Sequence, residues 1–314
     1  MFYGCSNAGM ANCRHLYDGL VYRKSEAFVK LKESIMFSIE EIYNQAIRIS
    51  RNIVEDIRFG RKLYLDPVEM CSNQICKYLD DDTNIVTFLN NVQDKNPYMY
   101  SHPANVAFIS FVIGRWLNLD HIKLENLVCA GLLHDIGKAK IRDSLLNKVD
   151  KLTLEETEIL KSHPIIGYKI LESVNVFNPE VLQGVLFHHE RMDGTGYPLG
   201  LKGEKINLFS RIIAIADTFD AITSTTTYSQ KNSPLKAVEE IQANGFNHLD
   251  PYICQIFVNS MSDYYSGREI RLSNEQVGHI VSINPIEITK PLVLCENVYH
   301  DLSVERDIEV VEIL

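Results

Sequence analysis

The adjacent pair His134-Asp135, with Lys138 three residues on, constrains this chain more than any other feature. Upstream lies His102, and downstream come His163-Pro164, His188-His189-Glu190, Gly196-Tyr197-Pro198 and Asp217. Five histidines and two aspartates, in short apolar-flanked segments between positions 102 and 217, make a donor set suited to a pair of divalent cations. The neighbouring His and Asp offer one neutral nitrogen and one carboxylate able to bridge two ions, which in two-metal sites sit roughly 3.5–4 Å apart. A fold that uses this set must bring the two ends of that span to one point.

Each member alone is weak. A single histidine on an apolar helix face is ordinarily a hydrogen-bonded core residue, and His188-His189 alone reads as a helix terminus where imidazolium is favoured by the dipole. The joint pattern decides, because the histidines fall at predicted helix ends or faces within one contiguous bundle, where several helices can converge inward. Nitrogen and carboxylate donors suit manganese, iron or zinc, and the lack of cysteines nearby disfavours a structural zinc site. His15, His121, His248, His279 and His300 lack such a context and are expected to be surface or structural residues.

Helical periodicity supplies the bundle. Phe28, Leu31, Ile35, Ile39, Ile42, Ala46, Ile49, Ile53 and Ile57 recur at threes and fours, predicting a long amphipathic helix that stops before Gly60. Such a stripe either packs in the chain's own core or forms a homodimer through the N-terminal helix. Asp66-Pro67-x-Glu69 predicts a helix start with Asp66 as N-cap, running to about Leu79. The run Asp80-Asp81-Asp82 reads as a solvated turn before a helix over 85–92. From Ser101 to Thr223 the chain reads as helices with short breaks, including a capping box at Thr153-x-x-Glu156, a start at Asn178-Pro179 and a long apolar helix carrying Asp217. Ser233-Pro234 restarts the chain into a last pair of helices ending near Tyr264.

After Gly267 the character changes. Ile270-x-Leu272, Val277 to Ile283, Leu292-Val293-Leu294 and Ile308 to Val311 are short β-branched runs between turn residues, read as strands of a small sheet. The expected architecture is therefore mainly α, a helical bundle with N-terminal helices and a small C-terminal β-rich tail. Its divisions are residues 1–95 for the lead-in and N-terminal helices, 96–265 for the metal domain and 266–314 for the tail.

Composition narrows the function. A net charge of −10 argues against a DNA or RNA polymer as partner, since neutralising phosphates takes a basic surface. An anionic ligand then depends on local positive charge from metal ions and a few basic side chains. Seven cysteines with no Cys-x-x-Cys pair read as reduced thiols filling a core. With no signal-like N-terminus and no membrane span in sight, the expected location is cytoplasmic.

Residues 102–228 resemble an HD-GYP domain, a branch of the HD phosphohydrolase superfamily. The likeness rests on His102-x-x-x-Val106, on Leu133-His134-Asp135-Ile136-Gly137-Lys138 and on His163-Pro164-x-x-Gly167. It continues through His188-His189-Glu190-Arg191-x-Asp193-Gly194-x-Gly196-Tyr197-Pro198 and through Arg211 to Ala221 around Asp217. The resemblance implies an HD-type bundle and a phosphodiesterase that hydrolyses a cyclic dinucleotide, chiefly cyclic di-GMP, to a linear dinucleotide or to mononucleotides. It implies His102, His134, Asp135, His163, His188, His189 and Asp217 as ligands of two divalent metal ions, with Asp135 bridging. Iron or manganese is first expected there, with zinc, magnesium, nickel and cobalt also compatible. Asp135 and Lys138 carry the catalytic roles by this likeness, and Lys138, Arg191 and Tyr197 the substrate contacts.

Two departures stand out. Some members have a glutamate four residues before the first histidine that helps to hold a third metal; here that position is Tyr98, which predicts two metals. The family commonly places basic residues at the positions of Thr226 and Ser229, where they contact the cyclic dinucleotide. Their loss, worth about 1.5–3 kcal/mol per charged hydrogen bond, leaves three readings open. Another nucleotide such as cyclic GMP–AMP is the substrate, other groups such as Arg191, Lys202 or Lys231 compensate, or the domain is a weak or idle nucleotide-binding module.

Overall fold

The computed structural model describes residues 38–79, 88, 97–224 and 233–314. The chain divides into two compact units, residues 1–41 and 42–314, so most of the N-terminal helix, the helices that bear the candidate metal donors and the tail share the second unit. The expected helix start at Phe28, the lead-in over residues 1–22, His15, the acidic run 80–82, most of the helix over 85–92, Thr226, Ser229 and Lys231 lie outside the described residues.

Helix α1 (Ile39–Arg58) opens on a reciprocal cap. Ser38 Oγ accepts from the Glu41 amide at 3.1 Å, and the Ser38 amide donates to Glu41 Oε2 at 2.8 Å. Its stripe of Ile42, Tyr43, Ala46, Ile47, Ile53 and Ile57 is buried within this chain. Tyr43 donates to Asn105 Oδ1 at 2.7 Å, the Arg51 guanidinium lies 5.0 Å from the Tyr100 ring centre, and Lys140 donates to the Ile57 carbonyl at 3.1 Å. Among the described residues, the apolar face of α1 from Ile42 to Ile57 therefore packs within the chain.

Helix α2 (Asp66–Tyr78) follows. Its N-cap is Leu65, with no side-chain cap hydrogen bond, so Asp66 stands one place inside the expected position. Pro67 needs no intrahelical donor in the first turn, and Asp66 and Glu69 act there through the helix dipole. Helices α3 (Tyr98–Trp116) and α4 (His121–Leu133) form the centre of the bundle, α4 being capped by Asp120. A 3-10 turn (Ile136–Lys140) and a short α5 (Asp143–Leu146) lead to α6 (Leu154–Lys161), which starts on the predicted Thr153–Glu156 capping box. Then come α7 (His163–Val174), α8 (Pro179–Phe187, capped by Asn178) and α9 (Leu208–Thr223, capped by Asn207). The last helices are α10 (Pro234–His248) and α11 (Pro251–Tyr265).

The tail is a five-stranded antiparallel sheet of order β4-β3-β2-β1-β5. Its strands are β1 (Glu269–Leu272), β2 (Val277–Ser282), β3 (Leu292–Cys295), β4 (Val298–Asp301) and β5 (Val310–Ile313). Strand β4 escapes the sequence reading because its members Val298 and Tyr299 face solvent and show no buried alternation. Its signal lies in the turn instead. Glu296 and Asn297 both have positive φ, the conformation of a two-residue hairpin loop.

Of the cysteines among the described residues, Cys71, Cys129, Cys254 and Cys295 are buried and Cys76 is partly buried, as a core role predicts. Burial pushes the thiols of Cys71, Cys76, Cys129 and Cys254 up to about 12, leaving almost no thiolate near neutrality. In the folded protein these four stay unreactive toward an aromatic disulfide reagent at about pH 8 and become titratable on denaturation. Peptide mapping that finds any of them labelled before unfolding contradicts this packing.

Candidate metal centre

Five helices, with the turns that follow two of them, carry the site. His102 sits in the second turn of α3, and His134-Asp135 terminates α4 where the backbone tightens into the 3-10 turn. His163 begins α7, His188-His189 follows the last residue of α8, and Asp217 lies on α9. Helix ends place side chains at the bundle's centre while their backbone groups still bond within the helix. All seven sequence-predicted donors come together in two groups. Asp135, His163, His188 and His189 form one, and His102, His134 and Asp217 the other, with donor atoms in each within 4.8 Å of one another.

Asp135 faces both groups, one oxygen to each. Its Oδ2 lies 3.4 Å from His102 Nε2 and 3.5 Å from His134 Nε2. Its Oδ1 lies 3.2 Å from His163 Nε2 and 3.9 Å from His188 Nε2, yet it is buried without a hydrogen-bond partner. Asp217 Oδ1 stands 3.2 Å from His102 Nε2.

The tautomers explain that orphaned oxygen. His134 Nδ1 lies 2.8 Å from the Gly131 carbonyl, His163 Nδ1 2.7 Å from that of Leu160, and His188 Nδ1 2.8 Å from that of Val185. A carbonyl only accepts, so each Nδ1 carries a proton, and in its neutral form, the form that binds metal, each ring points a bare Nε2 lone pair inward. The consequence is a pair of acceptors, His163 Nε2 and His188 Nε2, 3.2 Å apart with no proton to share. Such a contact is repulsive unless a cation lies among the lone pairs, and buried polar atoms are otherwise almost always paired. The residues fit divalent metal.

Protonation suits the same conclusion. Burial holds the His189 imidazole down to about 3, and burial with the neighbouring His189, His134 and His163 holds His188 well below its usual range. Burial alone would raise the Asp135 carboxyl, but the Lys138 ammonium beside it and the hydrogen bond from His102 hold it well below normal. Asp217 is likewise held low against burial, by its hydrogen bond and charge interaction with His102. His102 is the exception. Burial opposes its charge, but hydrogen bonds to Asp135, Asp217 and Asp220 lift it well above its ordinary value. Three carboxylates around one imidazole mark a place short of positive charge.

Asp220 belongs to the sequence motif around Asp217 but has no role assigned there, although it lies one turn beyond Asp217 on the same face of α9. It is fully buried, and its Oδ2 contacts His102 Nδ1 at 2.6 Å while its Oδ1 accepts from Asn105 at 2.7 Å and from Ser224 Oγ at 3.0 Å. It orients the His102 ring, the role a second-layer carboxylate commonly plays behind a metal-binding histidine. Asp220→Ala is expected to weaken metal affinity about 10–100-fold while leaving the fold in place. Competition against a coloured chelator measures this, and an unchanged affinity contradicts the role.

Glu190 has a role that its place in the motif does not reveal. Buried behind His189, it accepts from the amides of Leu199 at 2.7 Å and Leu201 at 2.9 Å, and so closes the loop that carries Tyr197. Gly196 makes the closure possible, since a side chain there would overlap the Arg191 amide, Glu190 Cα and the His189 carbonyl. The Tyr197 ring stacks on His189 with centres 4.7 Å apart, and the bond to Pro198 is cis. Lys161, which no sequence signal separates from other surface lysines, stands 5.8 Å from the Tyr197 ring centre.

Lys138 pairs with Asp135 Oδ2 at 2.5 Å, which sustains its charge against burial. Arg191 donates to the carbonyls of His188 at 3.2 Å and Glu190 at 3.0 Å, bracing the turn that follows α8. Tyr98 lies over His102, ring centres 4.9 Å apart, and burial followed by the Asp220 and Asp217 charges raises its hydroxyl, so it is neutral. His121, His248, His279 and His300 lie outside the site; His248 pairs with Asp193 and His300 with Glu305. No helix among the described residues is long and apolar enough to cross a membrane.

Comparison with known proteins agrees with this geometry. Residues 87–253 match the family described as HD domain. The chain is 31% identical over 260 residues, 81% of its length, to a Pseudomonas aeruginosa protein named cyclic di-GMP phosphodiesterase PA4108. It is 34% identical over 168 residues, 53% of its length, to a Vibrio cholerae protein named 3'3'-cGAMP-specific phosphodiesterase 3. This chain spans 63% of the first relative's length and 36% of the second's. Among solved structures, the Bdellovibrio bacteriovorus HD-GYP-type protein Bd1817 superposes with a TM-score of 0.59 over 70% of each chain at 16% identity, which shows the shared fold. With the matched span holding all seven candidate metal donors and the Gly196-Tyr197-Pro198 loop, the chain belongs to the HD domain family, in its HD-GYP branch.

Proposed function

We propose that this protein is a metal-dependent phosphodiesterase that opens a cyclic dinucleotide, cyclic di-GMP first. The observation that carries the reading is the buried Asp135 carboxylate divided between two sets of inward imidazole nitrogens, with its Oδ1 unpaired. His102, His134, Asp217 and Asp135 Oδ2 would hold one ion, and His163, His188, His189 and Asp135 Oδ1 a second. Oxygen and imidazole donors without thiolate favour iron or manganese. Tyr98 offers a neutral hydroxyl where a third ion needs a carboxylate, so the expected content is two equivalents per chain. When bound, such a pair supplies an activated water at neutral pH and screens the charge of the phosphodiester.

The protein's own groups do the rest. Asp220 and the Gly131, Leu160 and Val185 carbonyls keep the rings turned with Nε2 inward. Lys138 presents an ammonium beside Asp135 to neutralise a non-bridging phosphate oxygen. Tyr197, braced by His189, gives a flat aromatic wall at the rim, and Lys161 adds positive charge there. In a chain of net charge −10 these local cations favour a small anionic ligand over a nucleic-acid polymer.

The test is anaerobic loading with iron or manganese, metal analysis, and product analysis on cyclic di-GMP, cyclic GMP–AMP and the linear dinucleotides. Conversion of cyclic di-GMP with two equivalents of metal is the expected result. Preferential turnover of cyclic GMP–AMP is the second reading, favoured by Thr226 and Ser229 in place of basic residues and by the cGAMP-specific relative. Turnover of none of them overturns the enzymatic reading and leaves a nucleotide-binding module.

A further inference from the structure

A cavity of about 530 Å³ adjoins the metal centre on the side of Lys138. His102, Asp135 and Lys138 line one end of it. Ser50, Ile53 and Val54 of α1 line it too, with Met99, Leu146 and Leu160 among the apolar remainder. Ligand sites commonly fall at about 300–1,000 Å³ and combine mostly apolar walls with a few placed polar groups. Helix α1 lies outside the span that matches the HD domain, yet it furnishes a wall of a cavity that reaches the site's bridging carboxylate.

One polar group on that wall lacks a partner. Ser50 is 5% exposed, and its Oγ makes no hydrogen bond. A helical serine ordinarily returns its hydroxyl to the carbonyl one turn back; Ser50 does not, and its residue faces the cavity. The chamber is therefore amphiphilic. It has a charged end where a phosphodiester fits and an apolar remainder with a single unspent hydroxyl. A nucleotide has the same division, with a phosphate at one end and a flat base carrying hydrogen-bonding edges at the other.

We propose that this cavity receives one nucleobase of the substrate, with Ser50 Oγ bonding the base edge, and that α1 is thereby a specificity element of the active site. The inference rests on the phosphodiesterase reading above and adds to it the placing of the base. Ile53 and Val54 press on the faces of the base, and Lys138 stands at the junction with the phosphate. The second base of a cyclic dinucleotide remains on the Tyr197 side, because Tyr197 does not line this cavity. The buried stripe of α1 then has a purpose beyond stability: it holds Ser50, Ile53 and Val54 against the site.

Two variants test this, Ser50→Ala and Ile53→Trp, the second designed to fill the cavity. Binding of cyclic di-GMP is measured by calorimetry in metal-loaded protein. The ratio of kcat/KM for cyclic di-GMP to that for bis(4-nitrophenyl) phosphate, a diester without a base, is measured alongside. Ser50→Ala is expected to weaken cyclic di-GMP binding about fivefold, the weight of one neutral hydrogen bond. Ile53→Trp is expected to weaken it at least about tenfold and to lower the ratio to match. If Ile53→Trp does not fold, Ser50→Ala decides, since losing an unpaired hydroxyl does not endanger the core. Binding and ratio within twofold of the parent in the folded variants overturn the base site while leaving the phosphodiesterase reading intact. A parent that neither binds cyclic di-GMP nor cleaves either diester overturns both.

Discussion

Asp135→Asn is expected to lower phosphodiesterase turnover on the order of 10³-fold and to cut bound metal to less than one equivalent per chain. The amide keeps the shape of the carboxylate but removes the charge and replaces one oxygen by a donor. Either oxygen is in demand, because Oδ1 faces His163 and His188 while Oδ2 faces His102, His134 and Lys138. Metal-derived stabilisation of developing charge is worth several kcal/mol, and about 4 kcal/mol corresponds to the stated loss. The variant also leaves the Lys138 ammonium without its counter-charge, so circular dichroism and thermal unfolding must show that the bundle persists. A folded variant that keeps two equivalents of metal and a tenth of the parental rate sinks the bridging assignment.

Gly137→Ala should destabilise the protein by about 3 kcal/mol, near the upper end for overpacking, and lower its melting temperature by roughly 6–12 °C. The glycine sits in the 3-10 turn between Asp135 and Lys138, against the first turn of α7. A methyl there would run into the His163 carbonyl oxygen and lie 2.7 Å from the Gly167 amide nitrogen. Both obstacles are backbone, so no side-chain rotation relieves them. The remaining way out is to push α7 away, which draws His163 from Asp135 and lowers metal occupancy as well. Gly60→Ala is the control. Its φ is +65° and nothing lies within 4 Å of an added methyl, so it carries only the conformational cost of about 1–2 kcal/mol. Equal melting shifts in the two variants would show that conformation, and not the close approach to His163, dominates at Gly137.

Much of the bundle is legible along the chain because its signals are local. Thr153 and Glu156, Asn178-Pro179 and the stop before Gly60 act over three or four residues, and each lies where the structure ends or begins a helix. Asp66 fails as a cap by one place, a shift that a proline tolerant of two positions in the first turn allows. Strand β4 is hidden because its outer residues bury nothing, so pairing with β3 and the Glu296-Asn297 turn define it in place of a pattern. The dual role of α1 is undecidable from its stripe alone. An apolar face has the same spacing whether it meets another subunit or the Asn105 region of its own chain.

What the sequence determined by itself is the donor inventory and the helices that bear it: five imidazoles and two carboxylates, most of them at helix ends, with glycines where chains must pass closely. Residue type and local spacing set these, since capping, periodicity and ligand chemistry are properties of short segments. Only the tertiary structure decided how the donors divide, that Asp135 gives one oxygen to each group, that Asp220 and three carbonyls hold the rings, and that α1 walls a cavity beside them. Those facts depend on the direction of a lone pair and the distance between atoms far apart in the chain, which packing alone establishes.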